Sequence, residues 1–110
     1  RNSEGEQIGA IGRLTLHGLK SHSDEIGYWL AKPYWNQGIM TEVVSKFIEF
    51  CFEEFPPLIR IAARVFNYNI GSMKVLEKAG FQREGYLRKA YKKDGELIDA
   101  VLYSIIKEGH

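Results

Sequence analysis

The chain has 110 residues, 45% hydrophobic and 13% aromatic, the size and apolar content of one small globular domain with its own core. Fifteen Lys plus Arg against fourteen Asp plus Glu leave a net charge of +1, so no field of one sign draws the molecule to nucleic acid or to an anionic membrane, and a small ligand or a protein partner is expected instead. The lone Cys51 cannot close an internal disulfide, and there is no apolar run of roughly 18 residues and no signal-like start, so a single domain over 1–110 in a reduced, cytoplasmic compartment is expected.

In chain order, Arg1 to Gln7 is polar. Ile8 to Leu16 carries β-branched and apolar residues interrupted by Gly9 and Gly12, which predicts a glycine-bent strand. After the turn cluster Lys20-Ser21-His22-Ser23-Asp24, residues Glu25 to Leu30 alternate, with Ile26, Tyr28 and Leu30 on one face and Glu25, Gly27 and Trp29 on the other, and predict a second strand. Pro33 ends it. From Met40 the apolar positions fall at Met40, Val43, Val44, Phe47, Ile48, Cys51 and Phe55, a helix of about four turns stopped by Pro56-Pro57. Leu58 to Phe66 reads as a strand covered on both faces. Asn69 is placed to cap a short helix over Ile70 to Ala79, with Gly80 at the left-handed position beyond it and Phe81 folding back on Leu76. Gln82 to Lys92 and Leu97 to Lys107 flank Asp94-Gly95, a strong hairpin signal. Helices interleaved with strands in this order predict an α/β (α+β layered) fold in which two main helices cover a mixed, largely antiparallel twisted sheet.

The start of the long helix is the informative feature. The first four N–H groups of any helix lack an intrahelical partner, Gly38 has no side chain to block the main chain, and a helix N-terminus favours a phosphate. A pyrophosphate would satisfy several donors there at once. The alternative is that Gly38 only permits a tight entry while Thr41 or Asn36 caps the helix. No Gly-x-x-x-x-Gly-Lys-Ser/Thr loop and no Gly-x-Gly-x-x-Gly turn is present, which sets aside nucleotide hydrolysis and dinucleotide redox chemistry.

Two separated motifs favour the first of these readings. Ile26-Gly27-Tyr28-Trp29-Leu30, followed by Pro33-Tyr34-Trp35-Asn36-Gln37-Gly38-Ile39-Met40-Thr41-Glu42, resembles the strand, turn and helix of the GNAT superfamily in its RimJ/RimL branch of protein N-terminal acetyltransferases. Asn69-Ile70-Gly71-Ser72, running on to Glu77-Lys78-Ala79-Gly80-Phe81, is similar to the same branch's Asn-x-x-Ser helix and its Gly-Phe ending. The Asp94-Gly95 hairpin, with Asp99 and Tyr103 in the last strand, is also similar to that branch. The resemblance implies an acetyl-CoA-dependent N-acetyltransferase acting on a primary amine, either a protein N-terminus or a small molecule. It implies that backbone amides of Gln37, Gly38, Ile39, Met40 and Thr41 cradle the coenzyme pyrophosphate and that main-chain atoms of Trp29 and Leu30 pair with the pantetheine arm. Asn69 and Ser72 would lie beside the thioester. Two positions depart from the branch, Asn36 where Gly is usual and Met40 where a small residue is common. Asn tolerates a left-handed backbone, and Met40 lies on the helix's apolar face.

Acetyl transfer needs a neutral amine, a polarised carbonyl and a proton for the departing thiolate. Glu25 is the candidate base, against the plainer reading of a solvated carboxylate beside Asp24. Ser72 is the candidate donor to the thiolate, against a local hydrogen-bonding role in the first helical turn. Lys74 and Lys78 are placed to meet phosphates or simply to be solvated. Cys51 belongs to the helix's apolar stripe and reads as core. His17, His22 and His110 have no ligand spacing, so no metal is expected. Tyr28, Trp29, Tyr34 and Trp35 either wall a substrate channel or roof the core.

Members of the branch normally carry a strand and one or two helices before the position of Ile8, so the resemblance implies an N-terminally short form. An uncovered sheet edge there predicts pairing with another chain, as in a homodimer. The alternative function is a non-catalytic coenzyme-binding or interaction module that retains the same core.

Overall fold

A computed structural model describes residues 9–15, 18, 20–30 and 38–110 of the chain. Five strands and two helices follow one another as β1 (Gly9–Arg13), β2 (Ser23–Leu30), α1 (Ile39–Glu54), β3 (Arg60–Phe66), α2 (Ile70–Lys78), β4 (Gln82–Lys93) and β5 (Glu96–Ile106). The strands form one sheet in the order β1-β2-β3-β5-β4. Among the described strands only β2 and β3 run parallel, joined through α1 as a parallel pair requires. The other neighbours are antiparallel. This is the mixed, largely antiparallel sheet with two helices that the sequence predicts.

Both helices contribute to one core on one face of the sheet. Met40, Val44, Ile48 and Cys51 recur every three or four residues along α1 and are buried against Ile26, Ile61, Ala63, Val65, Val101 and Tyr103 from the strands, with Leu76 and Phe81 from α2 and the turn after it. Cys51 is fully buried, as the apolar stripe implies. Val43 is an exception. It belongs to the sequence stripe yet is 36% exposed, because the buried face is narrower than the apolar one and Val44, one position on, occupies it.

Element ends shift for local reasons. Strand β1 is shorter than the apolar run Ile8 to Leu16, though Leu14 N still donates to Glu25 O at 2.9 Å. Helix α1 ends at Glu54, before the prolines, with Phe55 N–H bonded to Cys51 O. Strand β3 begins at Arg60 rather than Leu58, and Arg64 on it is exposed, so that strand is not covered on both faces along its whole length. Phe81 N donates to Leu76 O at 2.9 Å, past Gly80 at φ 99°, which is the helix ending the Gly-Phe pair predicts. At the hairpin Asp94 and Gly95 both have positive φ, 51° and 82°, the requirement of a two-residue turn whose twist matches the flanking strands.

Opposite that turn, β4 slips register between Leu87 and Tyr91, and Lys89 within the slip has φ 51°. The Asp99 carboxylate holds this irregularity, accepting from Lys89 N and from the Tyr86 hydroxyl, both at 2.7 Å. These two donors, the backbone amide foremost, keep the Asp99 carboxyl below its usual range. At the other end of the sheet, Arg13 Nε donates to Asp24 Oδ2 with both side chains buried, and the guanidinium lies over the Phe55 ring. No described helix is long and apolar enough to cross a membrane.

Candidate active site

The parallel pair is incomplete, and this builds the site. Strand β2 pairs with β3 only at Ser23 to Glu25, against Arg60 to Ala62, although β2 continues to Leu30 and β3 to Phe66. Each strand is held along its length by its outer neighbour, β2 by β1 as far as Leu30 and β3 by β5 as far as Phe66. The two halves of the sheet therefore part beyond Glu25. A cleft of ≈ 290 Å³ opens between them, lined by Tyr28 from β2, Arg64 and Phe66 from β3, Asn69 and Ser72 from the start of α2, and Tyr91 from β4.

Alternation along β2 fixes what its backbone offers to the gap. The bond from Leu14 N to Glu25 O, in the register that sets Gly12 against Gly27 and Ala10 against Trp29, turns the amide and carbonyl of Glu25, Gly27 and Trp29 toward β1. Those of Ile26, Tyr28 and Leu30 face the gap. Backbone groups left along such a seam call for an extended partner with its own amides. Of the two residues expected to meet a pantetheine arm, Leu30 presents its main chain to the gap, while Trp29 spends its main chain on Ala10 and leaves its indole 48% exposed.

The start of α1 has no side-chain cap among the described residues. Gly38 is the N-cap, at φ 74°, and supplies no side-chain cap, so of the two caps considered from sequence Thr41 does not serve. The carbonyl of Thr41 instead accepts from Ser45 Oγ at 2.8 Å. Among the described residues, a Cβ built on Gly38 would meet nothing within 4 Å. Helix geometry leaves the amides of Ile39, Met40 and Thr41 without an intrahelical acceptor. Met40, the departure from a small residue, turns its side chain into the core and is 6% exposed. Gln37, Asn36, Tyr34 and Trp35 lie outside the described residues.

The start of α2 is closed by its own sequence. Asn69 Oδ1 accepts from Ser72 N at 3.1 Å, the cap expected of it, and both residues line the cleft. Ser72 Oγ lies 2.5 Å from the Tyr28 hydroxyl, which also reaches Ser72 O at 3.4 Å. Burial raises the Tyr28 phenol above its ordinary value, only partly offset by Ser72, so the group is neutral. Tyr28 thus stands at the site while Trp29, its neighbour in the sequence's aromatic group, points to the other face. Lys74 and Lys78 are exposed on α2.

Glu25 and Ser72 are not brought together. Glu25 is on the face of β2 opposite Tyr28, at the last paired position, and its Oε1 accepts from Arg64 Nε at 2.9 Å. That bond, ahead of the charge attraction, raises the Arg64 guanidinium. Three cleft residues had no signal as single positions: Arg64, Phe66 and Tyr91. Phe66 packs edge-on against Tyr91, with ring centroids 5.4 Å apart, and the cross-strand contact that unites them is not written in local spacing. Among the described residues no group of three His, Cys, Asp or Glu could hold a metal ion.

Residues 1–82 match the model of the acetyltransferase (GNAT) domain. Over 109 residues the chain is 39% identical to YoaA, an uncharacterized N-acetyltransferase of Bacillus subtilis, covering 97% of this chain and 59% of YoaA. Its fold matches the ribosomal-protein-S5-alanine acetyltransferase from Vibrio fischeri with a TM-score of 0.87 and 31% identity, covering 96% of this chain and 57% of that one. It matches Mycobacterium smegmatis RimJ in complex with CoA-disulfide with a TM-score of 0.82 and 34% identity, covering 96% of this chain and 50% of that one. The chain therefore spans half or a little more of the length of these relatives. A sheet parted between its two parallel strands, a helix start at Gly38 after the first of them and a family model matching most of the residues lead to one conclusion: the chain belongs to the GNAT acetyltransferase family.

Proposed function

We propose that this chain carries the coenzyme-binding core of an N-acetyltransferase that moves an acetyl group from acetyl-CoA to a primary amine. The observation that carries the reading is the parting of β2 from β3 after three paired positions, next to which the α2 start contributes Asn69 and Ser72. The residues fit the coenzyme. The amides of Gly38, Ile39, Met40 and Thr41, with Gln37 before them, would hold the pyrophosphate through unpaired N–H groups and the helix dipole. The gap-facing main chain of Leu30, continued by Tyr28 and Ile26, would hold the pantetheine arm as an added strand holds an edge. Acetyl-CoA supplies an activated acetyl group on a thiol that leaves readily once protonated.

The chain's own residues then have separable tasks. Asn69 fixes the first turn of α2 and so the place of Ser72. Ser72 offers a hydroxyl proton where negative charge develops on sulfur. Glu25 would take the ammonium proton of the acceptor through water, which requires it to be shared with Arg64. The similarity to the S5-alanine acetyltransferase supports a protein N-terminus as the acceptor; a small primary amine is the other class. The Glu25–Arg64 pair also gives weight to a second reading, a module that binds the coenzyme without transferring its acetyl group, because it engages the candidate base.

Calorimetric titration with acetyl-CoA tests the binding half of the reading, and release of coenzyme thiol with a panel of peptide N-termini and small amines tests the transfer half. Saturable binding with amine-dependent thiol release is expected. Binding without release in any acceptor would leave only the module, and no binding would remove both.

A further inference from the structure

We infer that Tyr28 is a positioning residue for acetyl transfer: its hydroxyl donates to Ser72 Oγ and thereby aims the Ser72 proton into the cleft, at the sulfur of a bound coenzyme. This rests on the acetyl-transfer reading above. Tyr28 and Ser72 are 44 positions apart in sequence and 2.5 Å apart at their oxygens, in the cleft where β2 leaves β3.

The direction of the bond follows from acidity. A phenol is a far stronger acid than an aliphatic alcohol, so the short contact is polarised from Tyr28 to Ser72, and the 3.4 Å approach to Ser72 O takes the minor share. A serine in the first turns of a helix ordinarily turns its proton back onto its own helix, as Ser45 does in α1 by donating to Thr41 O. Ser72 Oγ instead meets a donor. Its oxygen is occupied as an acceptor and its own hydrogen is left for the cleft, with the accepted bond making it a better donor. Burial raises the Tyr28 phenol above its ordinary value, which favours the protonated form that donates.

The balance of the reaction defines what such a donor does. The C–N bond forms, the C–S bond breaks with its electron pair on sulfur, and on balance one proton passes from nitrogen to sulfur through solvent. Ser72, aimed by Tyr28, stabilises the charge on sulfur before that proton arrives.

The test reads the bound thiol directly, without turnover. Reduced coenzyme A is titrated with base in the presence of saturating protein, and its thiolate is followed by ultraviolet absorbance in the parent chain, Tyr28→Phe, Ser72→Ala and the double variant. In the parent the bound thiol is expected to titrate below the free coenzyme. Tyr28→Phe is expected to raise it by about half a pH unit, the size of one lost hydrogen bond between neutral groups, with coenzyme affinity below the thiol's titration range changed less than about twofold. Ser72→Ala should raise it at least as far, and the double variant no further than Ser72→Ala, since Tyr28 acts only through Ser72. A 4-aminophenylalanine at position 28 keeps the ring and offers an N–H donor that does not ionise in this range, so it should hold the thiol nearer the parent value than Tyr28→Phe does. A bound thiol indifferent to position 28 while Ser72→Ala shifts it, or additive effects in the double variant, would overturn the inference and leave the acetyl-transfer reading intact. Absence of coenzyme binding by the parent chain would overturn both.

Discussion

Helices α1 and α2 lie on the same face of the sheet and begin in opposite ways. At α2 the side chain of Asn69 accepts the amide of Ser72, so the helix meets part of its terminal deficit from its own sequence. At α1 the N-cap is Gly38, left-handed and with no side-chain cap among the described residues. Length explains why the chain tolerates the difference. Helix α1 has 16 residues and buries four side chains, whereas α2 has 9 and buries only Leu76. A short helix with little buried surface depends on its cap, while a long one held by a core stripe does not. The glycine start is therefore free to serve an external acceptor, and the capped one is free to hold a side chain still.

The comparison breaks most visibly at Gly38. Gly38→Asp adds a negative charge where the coenzyme phosphates are proposed to sit; Asp tolerates the left-handed backbone better than most residues, and no described atom lies within 4 Å of the added Cβ. At a separation of a few ångströms near the surface the repulsion is about 3 kcal/mol, so acetyl-CoA affinity is expected to fall on the order of a hundredfold by calorimetry. Unchanged affinity would take the α1 start out of the site.

A smaller effect is expected where α2 is tied down at its other end. Tyr103 donates to Glu77 Oε2 at 2.7 Å, and burial first, then this carboxylate, pushes its phenol up to about 12. The folded value lies above the unfolded one near 10, so the stabilisation is complete below pH 10 and is lost as the pH climbs toward 12. Urea denaturation across that window should show the parent losing about 2–3 kcal/mol more than Tyr103→Phe does. Parallel curves would mean that α2 is not anchored this way.

Asn69→Ala should cost about 1 kcal/mol in the same denaturation experiment, with faster hydrogen exchange at the Ser72 amide, because α2 loses its internal acceptor. Equal protection in the variant would show that α2, like α1, needs no cap from its own chain. The mildest change is Glu42→Gln, which removes an exposed acidic charge from the first turn of α1, where Lys46 at i+4 otherwise shares it. Acetyl-CoA binding should tighten roughly two- to threefold at low salt and by less at high salt. A loss of affinity would argue that the anion sits elsewhere.

Much of this fold is legible in the sequence because it is local. The stripe from Met40 to Cys51, the Asn69 cap, the Gly80-Phe81 ending and the Asp94-Gly95 turn each follow from backbone chemistry within a few residues. The cleft is not legible in that way. Periodicity says that β2 and β3 are strands, and no residue within either announces that their pairing stops at Glu25 and Ala62. The pairing of Tyr28 with Ser72 and of Glu25 with Arg64 likewise joins positions that only the crossover through α1 brings near. The two motifs at Ile26 to Glu42 and at Asn69 to Phe81 identified the family, but which backbone groups of β2 face the gap came from register. Alternation places Glu25 and Trp29 on one face of β2 and Tyr28 on the other. It could not have supplied the partner of any of them.

Cys51, the chain's single cysteine, closes the account in a practical way. It is fully buried in the last turn of α1, and desolvation pushes its thiol up, opposed by the nearby charge of Arg13 and aided by that of Asp24. A buried, protonated sulfur is a poor nucleophile, so the native protein should be invisible to a thiol-counting reagent. Any thiol that appears in a reaction mixture is then the coenzyme's own, while in denaturant the same reagent counts unfolded molecules one for one.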